Sequence, residues 1–221
     1  MTKFLFCTFL IIIFLFSISV IGKKEILENG EIKINWQKNV SGDFSFTKNW
    51  DYPEGVYKND FGQLSCDGFC LPETDRMKDE NGKIYTDSLA KFYQLVDTTH
   101  IFHSIKSKTN SYEWGVSNFA TVKRMSRDTI YCFTNKNAAA HSSLILKITK
   151  DKCIPVIELN SISGSKGKQI YACKKGCIKI DRDLWNNGIL KAKFDFIFEH
   201  PENLDKPLFW KGKIYSQINA K

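Results

Sequence analysis

The sequence predicts a mainly β protein, folded as an antiparallel β-sandwich or barrel-like meander with one short amphipathic helix at about residues 87–97. Three observations support this prediction. Apolar and polar side chains alternate along several short segments, as they do in half-buried strands. Turn residues separate these segments at the spacing of hairpin-connected strands. The pattern lacks the helical crossovers that parallel strands require, which argues against an α/β fold.

The first predicted strand covers residues 32–36, where apolar side chains alternate with polar ones, and Phe44 and Phe46 repeat the same period further on. In the middle of the chain, residues 129–133 and 144–148 show the same alternation. Such a period of two places one set of side chains in the core and the other in solvent. These segments are therefore predicted to be strands with one buried face.

Three more strands are predicted towards the C-terminus. An apolar run covers residues 154–159 and contains Pro155, which has no N–H to donate and so predicts a sheet edge or a bulge. Residues 190–198 give the clearest alternation, with apolar side chains on one side and lysines and an aspartate on the other. The last predicted strand covers residues 208–215.

One segment has the period of a helix instead. Its apolar side chains recur at i, i+3, i+4 and i+7: Leu89, Phe92, Tyr93 and Val96. This amphipathic helix is expected to lie on the sheet. Just before it, Asn81-Gly82 is the strongest hairpin-turn signal of the chain.

The N-terminus resembles an export signal. Lys3 precedes an almost unbroken apolar segment at residues 4–21, and small residues follow it. We interpret residues 1–22 as a signal peptide and residues 23–221 as a single β-rich globular domain. The alternative is an uncleaved membrane anchor at residues 4–21. Either interpretation predicts an exported protein, located in the periplasm, at the cell surface or outside the cell.

The chain carries a formal net charge of +8, but its lysines stand singly or in pairs among acidic residues. A nucleic-acid or anionic-membrane interface usually shows a run of basic residues, and the sequence contains no such run. We therefore expect no nucleic-acid partner, and membrane contact only if the N-terminal segment is uncleaved. Protein or glycan partners stay open.

An exported protein meets an oxidising compartment, so its cysteines are candidates for disulfides. Six cysteines follow the apolar segment: Cys66, Cys70, Cys132, Cys153, Cys173 and Cys177. The Lys-Lys-Gly spacer suggests a hairpin turn that bonds Cys173 to Cys177. Cys66 and Cys70 are similarly spaced, which would leave Cys132 for Cys153, but six cysteines allow 15 pairings and the sequence alone cannot choose among them.

A metal site is the weaker interpretation of two of these cysteines. Cys66 and Cys70 together with His100 and His103 supply the thiolate and imidazole ligands of tetrahedral zinc. However, the segment around the histidines favours a strand, in which residues three apart point to opposite faces. Export also favours oxidised cysteines. We therefore expect no metal and no other cofactor.

Residues 49–75 form the one long irregular stretch, rich in glycine, proline, aspartate and aromatic residues. Long irregular segments inside compact domains often carry function. The aromatic side chains of this stretch form a possible surface for stacking on sugars or contacting protein. They are Trp50, Tyr52, Tyr57, Phe61 and Phe69.

No motif identifies catalysis. His141 with its following serines and the Ser-Gly-Ser-Lys-Gly tract at 163–167 supply reactive residue types without the setting that a nucleophile needs. The sequence therefore favours an exported, non-enzymatic β-domain that binds a partner or belongs to the cell envelope. A secreted hydrolase whose groups meet only in the fold and a small-ligand carrier are the alternatives.

Overall fold

The computed structural model describes residues 30–53, 55–67, 70–111, 115–135, 141–160, 167–199 and 206–219. The predicted signal peptide at 1–22 lies outside the described residues. Within the described ranges, no helix is long and apolar enough to cross a membrane.

Thirteen strands are present in the described part of the chain. In chain order they are β1 (Ile32–Gln37), β2 (Trp50–Asp51), β3 (Val56–Lys58), β4 (Leu64–Cys66), β5 (Ile101–Phe102), β6 (Ile105–Thr109), β7 (Ala120–Ser126), β8 (Thr129–Thr134), β9 (Ser142–Ile148), β10 (Lys152–Asn160), β11 (Lys168–Asp181), β12 (Ile189–Phe198) and β13 (Leu208–Gln217). Nine of them form one main sheet, while β2 pairs with β5 and β3 pairs with β4 in two small ribbons.

The main sheet has the strand order β6-β13-β12-β11-β1-β10-β9-β8-β7. Its neighbouring strands run antiparallel except β1 and β11, which are parallel. The sheet curls until its ends approach each other. The N–H of Ile105 at the start of β6 donates to the carbonyl of Asn118 just before β7, and the N–H of Asn219 after β13 donates to Val122 in β7. The predicted mainly β, barrel-like class is confirmed.

Alternation along the strands fills the interior of this curled sheet. In β12, for example, the even-numbered residues from Leu190 to Phe198 are buried, whereas Asp195 is exposed. Burying these apolar side chains is the main favourable contribution to folding. The largest fully buried side chains of the sheet include Trp210, Phe196, Phe198, Leu144 and Leu146. These side chains occupy the interior of the curled sheet, which is the space in which a small-ligand carrier would bind its ligand.

Among the described residues, three short helices accompany the sheets: α1 (Pro72–Asp75), α2 (Leu89–Leu95) and α3 (Arg182–Asn186). Single 3₁₀ turns cover Ser45–Lys48 and Thr86–Ser88. The predicted amphipathic helix is confirmed as α2, but its expected place on the main sheet was wrong. Its buried face packs instead in a small separate cluster, formed by Cys66, Met77, Ile84, Phe92 and Val96.

Two predictions about local structure were also wrong. Pro155 does not lie at an edge, because β10 is flanked by β9 on one side and by β1 and β11 on the other. On that second side, Cys153 pairs with β1 and Val156 pairs with β11. Pro155 thus lies where one partner strand gives way to the next, and a missing N–H disturbs the pairing least there. Phe44 and Phe46 belong to a 3₁₀ turn and its N-terminal cap rather than to a strand.

The cysteines are only partly paired as predicted. Cys66 and Cys70 form a disulfide, and the other four thiols of the described chain are free. The predicted hairpin turn with a Cys173–Cys177 disulfide was wrong, because both residues lie on the single strand β11. Cys132 and Cys153 lie on β8 and β10 with β9 between them. Two strand spacings amount to about 9–10 Å, beyond the roughly 7 Å Cα separation that a disulfide spans.

Candidate functional site

The strongest candidate site is a lysine-rich groove on the outer face of the main sheet. It crosses β6, β13, β12 and β11, which are adjacent in the sheet. Three of these strands contain a Lys-x-Lys pattern, at 106–108, 191–193 and 211–213. Because strand side chains alternate, both lysines of each pattern point outward while the neighbouring apolar residues point into the core. The same alternation that builds the core therefore builds the basic surface.

The strand register then aligns lysines from different strands. Lys106 lies directly opposite Lys213, Lys213 opposite Lys193, and Lys193 opposite Lys179. We call these four residues the lysine ladder. Neighbouring strands are about 4.8 Å apart, so the ladder places four ammonium groups on adjacent strands over roughly 14 Å. Like charges directly opposite each other destabilise a sheet, so the three opposed pairs of the ladder oppose folding.

A second row runs beside the ladder. Lys108 lies opposite Lys211, Lys211 opposite Asp195, and Asp195 opposite Cys177. Both rows line one surface depression with a volume of about 480 Å³. Six lysines and one aspartate therefore face the same groove, and among the described residues none of these seven side chains forms an ion pair. Positive charges therefore outnumber negative ones in the groove, which favours the approach of anions.

Two glycines allow the strands beneath the groove to approach each other closely. A Cβ atom at Gly212 would lie 2.5 Å from the carbonyl oxygen of Lys106, and one at Gly176 would lie 2.5 Å from that of Asp195. Real Cβ atoms do not tolerate such contacts, so both positions require glycine. The two residues thus contribute to the shape of the groove as well as to the packing of the sheet.

A second depression extends the groove over β1. It has a volume of about 420 Å³, shares Cys177 and Lys179 with the first, and adds Lys33, Lys174 and Lys175. The basic surface therefore continues across a fifth strand. A ligand that follows the lysines would lie across the strands rather than along them.

The segment before β2 covers one end of the groove. The Lys213 ammonium group donates a hydrogen bond to the carbonyl of Asp43 at 2.8 Å, and it also lies 5.7 Å from the centre of the Phe44 ring. Hydrogen bonds from Ser45 lower the pKa of Asp43 below its ordinary value, and the charges of Lys213 and Lys106 lower it further. One end of the ladder is thus anchored, while Lys108, Lys179 and Lys211 are exposed.

The structure explains why Cys177 faces this groove. A β-bulge between Cys173 and Lys175 shifts the alternation of β11 by one residue. Cys173 therefore points into the core and Cys177 points outward. Burial raises the pKa of Cys132 to about 12, of Cys173 to about 11, and of Cys153 well above its ordinary value. The three buried cysteines thus remain neutral thiols at physiological pH, and neutral thiols are poor nucleophiles.

The aromatic surface predicted from residues 49–75 divides into two parts. Trp50 packs with Tyr52 and stacks on His100, with ring centres 3.7 Å apart. Tyr57 and Phe61 lie on and beside the separate β3–β4 ribbon. Trp50, Tyr57 and Phe61 are exposed and Tyr52 is half-buried, whereas Phe69 lies outside the described residues.

The zinc ligands considered above are not brought together. Cys66 is bonded to Cys70, while His100 stacks on Trp50. In the described chain, no group of three or more histidine, cysteine, aspartate or glutamate side chains could hold a metal ion.

One histidine has the carboxylate partner that a hydrolase would need. His103 Nε2 lies 2.7 Å from the carboxylate of Asp51. No hydrogen bond joins His103 to a serine or cysteine in the described part of the chain. The pair thus provides an orienting group and a base but lacks the nucleophile of a triad.

Sequence reasoning missed the groove because its lysines come from separate segments. The sequence contains no run of basic residues, and the structure aligns lysines from separate strands. The Lys-x-Lys patterns at 191–193 and 211–213, inside two predicted strands, were the available signal. No protein-family model, curated protein or solved structure matches this chain.

Proposed function

We propose that this protein is an exported, non-enzymatic binding protein whose lysine-rich groove holds an acidic polysaccharide. The observation that carries the proposal is the lysine ladder, in which Lys106, Lys213, Lys193 and Lys179 oppose one another on four adjacent strands. Each opposed pair of like charges opposes folding by an amount on the order of 0.2–1 kcal/mol. A polyanion along the ladder would remove this repulsion and gain several charge-assisted contacts at once.

The residue type favours a ligand with repeated, variably placed acidic groups. Lysine presents a compact point charge on a flexible stem, whereas arginine suits planar, two-point recognition of a single group. The lining of the 480 Å³ groove contains six lysines and no arginine. Carboxylate or sulfate groups spaced along a sugar chain match this kind of surface, because each lysine can adjust to the nearest group.

The composition of the groove argues for binding rather than hydrolysis. Glycoside hydrolysis generally uses two carboxylic acids on either side of the scissile bond. Among the described residues that line the 480 Å³ depression, Asp195 is the only acidic side chain and no histidine is present, while the extension over β1 adds Glu31, which is paired with Lys152. The predicted export of the chain supports a polysaccharide over nucleic acid, because acidic glycans are the common polyanions outside cells.

The test compares two triple variants of the purified protein by calorimetry. Lys106→Gln, Lys179→Gln and Lys193→Gln remove three charges of the ladder. The control removes three exposed lysines from outside the groove: Lys58→Gln, Lys83→Gln and Lys123→Gln. Both variants change the net charge equally, so any difference between them reports the site rather than the overall charge.

The probes are heparin as a sulfated chain, polygalacturonate as a carboxylated chain, dextran as a neutral chain, and duplex DNA. We expect the ladder variant to lose about tenfold or more in affinity for one acidic polysaccharide, which is about 1.4 kcal/mol, and the control variant to lose far less. Equal losses in both variants would contradict the proposal. Tighter binding of duplex DNA than of either acidic polysaccharide would identify a nucleic-acid site instead.

A further inference from the structure

A second pocket lies at one end of the curled sheet, away from the lysine ladder. It has a volume of about 360 Å³ and shares no lining residue with the groove. The β7–β8 turn contributes Arg127 and Asp128, and the β9–β10 turn contributes Lys150 and Asp151. The end of β1 and helix α3 complete the lining. The pocket is thus formed by four elements that meet only in the folded protein.

Two indole rings form the apolar part of this pocket. Trp36 and Trp185 are both half-buried, and their ring centres are 5.3 Å apart with planes inclined at 74°. The indole N–H of Trp36 donates to the carbonyl of Lys150 at 3.0 Å, which holds the ring in place. Two aromatic rings set nearly at right angles form a corner of the kind that receives quaternary ammonium groups through cation–π attraction.

Charges of both signs surround this aromatic corner. Arg127 and Arg182 supply guanidinium groups, Lys150 supplies an ammonium group, and Asp128 and Asp151 supply carboxylates. All five side chains are exposed, and none of them forms an ion pair with any other described residue. Opposite charges that face one pocket without pairing are complementary to a ligand that itself carries both charges.

We propose that this pocket binds a phosphocholine-type zwitterion, in which a quaternary ammonium and a phosphate are joined by a short linker. The ammonium group lies against Trp36 and Trp185, where Asp128 and Asp151 add electrostatic attraction. The phosphate group is bound by Arg127 and Arg182, whose fork geometry suits phosphate oxygens. This site is independent of the polysaccharide groove.

The same chemistry occurs in free phosphocholine and in the headgroup of phosphatidylcholine. The experiment therefore has two arms, which are titration with free phosphocholine and flotation with phosphatidylcholine vesicles. Indole fluorescence and calorimetry report binding in the first arm. Saturation by free phosphocholine identifies a soluble ligand, and binding to vesicles alone identifies the lipid headgroup. Both results support the pocket.

Ligands that carry only part of phosphocholine test separately how the aromatic corner and the charged side chains contribute to binding. We expect phosphocholine to bind about tenfold or more tightly than choline, inorganic phosphate or phosphoethanolamine, which is about 1.4 kcal/mol. Phosphoethanolamine carries the same charges but lacks the methylated ammonium, so it isolates the contribution of the aromatic corner. Inorganic phosphate that binds as tightly as phosphocholine would overturn the proposal.

Variants locate the site. Trp185→Leu keeps an apolar side chain but removes the ring, and Arg182→Gln removes the charge of an exposed residue. Both should weaken phosphocholine binding about tenfold. Trp50→Leu and Arg76→Gln, matched changes at exposed positions elsewhere, should leave it unchanged. Circular dichroism verifies that each variant is folded. Unchanged affinity in both pocket variants, or no binding in either arm, would refute the inference.

Discussion

The main sheet and the disulfide-linked segment at residues 50–102 are stabilised in different ways. The core of the main sheet is one large cluster that joins strands distant in the chain. The core of the segment is a small cluster of five buried residues around α2, next to the Cys66–Cys70 disulfide. A small core contributes little free energy by itself and usually needs a covalent staple. The comparison indicates that the main sheet is the more stable region, and that residues 50–102 are less stable and are reinforced by the Cys66–Cys70 disulfide.

The largest expected effect comes from truncating the core of the main sheet. Trp210 is fully buried, and its indole N–H donates to the hydroxyl of Ser107 on β6. Trp210→Ala should lower the free energy of unfolding by about 3–5 kcal/mol, because it leaves a large cavity and an unpaired hydroxyl. Chemical denaturation followed by circular dichroism measures this loss. A loss below 1 kcal/mol would contradict the assignment of the core.

The same kind of truncation in the segment should have a local effect. Phe92 is fully buried in the small cluster. Phe92→Ala should reduce the local stability of residues 50–102 by about 3 kcal/mol and leave the main sheet folded. Hydrogen exchange, measured residue by residue, distinguishes the two regions. Equal loss of protection in β12 and in α2 would show that the two regions unfold as one unit.

Removal of the disulfide should have a smaller effect in the same region. The loop between Cys66 and Cys70 is short, so its closure entropy predicts a loss of about 2 kcal/mol for Cys66→Ser with Cys70→Ser. Protection from exchange should fall in β3 and β4 and persist in the main sheet. If protection from hydrogen exchange is unchanged in β3 and β4, the disulfide is not needed to stabilise this ribbon.

The buried thiols of the main sheet make its stability depend on pH in the alkaline range. Burial raises the pKa of Cys173 to about 11, so the unfolded chain loses this proton at lower pH than the folded protein does. Its contribution to stability is therefore complete below the ordinary thiol pKa and falls as the pH rises towards 11. Replacing the thiol should reduce the alkaline loss of stability by about 1.4 kcal/mol per pH unit in that range.

Denaturation of Cys173→Ala and of the parent protein at several pH values between neutrality and pH 11 measures this difference. Cys177→Ala is the control, because its thiol is already exposed. Identical pH profiles for Cys173→Ala and the parent would contradict the burial of Cys173.

Much of the fold could be predicted from the sequence because the alternation of a strand is local. The alternation at residues 190–198 identified β12 and its buried face, and the helical period identified α2. The bulge in β11 could not be predicted, because it depends on the register with β12 rather than on the residues themselves. For this reason the Cys173–Cys177 spacing was mistaken for a hairpin. Residues 49–75, which the sequence predicted to be irregular, contain the short strands β2, β3 and β4 and helix α1 in the structure.

The candidate site could not be predicted for a related reason. Each Lys-x-Lys pattern alone indicates an ordinary solvated strand face. Only the strand order and register place Lys179, Lys193 and Lys213 side by side, although they come from three separate strands. The sequence therefore contained the charges of the groove but not their alignment.

The smallest expected effect tests the central claim, namely that the lysine ladder is strained when empty and relieved by an acidic polysaccharide. Lys193 is flanked by Lys179 and Lys213. Lys193→Gln should therefore raise the free energy of unfolding at low salt by about 0.2–1 kcal/mol, because it removes two like-charge contacts. The same change should reduce the stabilisation that the preferred acidic polysaccharide provides, because bound ligand favours the folded state.

The decisive measurement is thermal unfolding of Lys193→Gln, of Lys58→Gln as control, and of the parent protein, each with and without heparin and polygalacturonate. We expect Lys193→Gln alone to be more stable than the parent without ligand and to gain less stability from the ligand. A variant that is no more stable when empty and gains as much as the parent from both polysaccharides would contradict it.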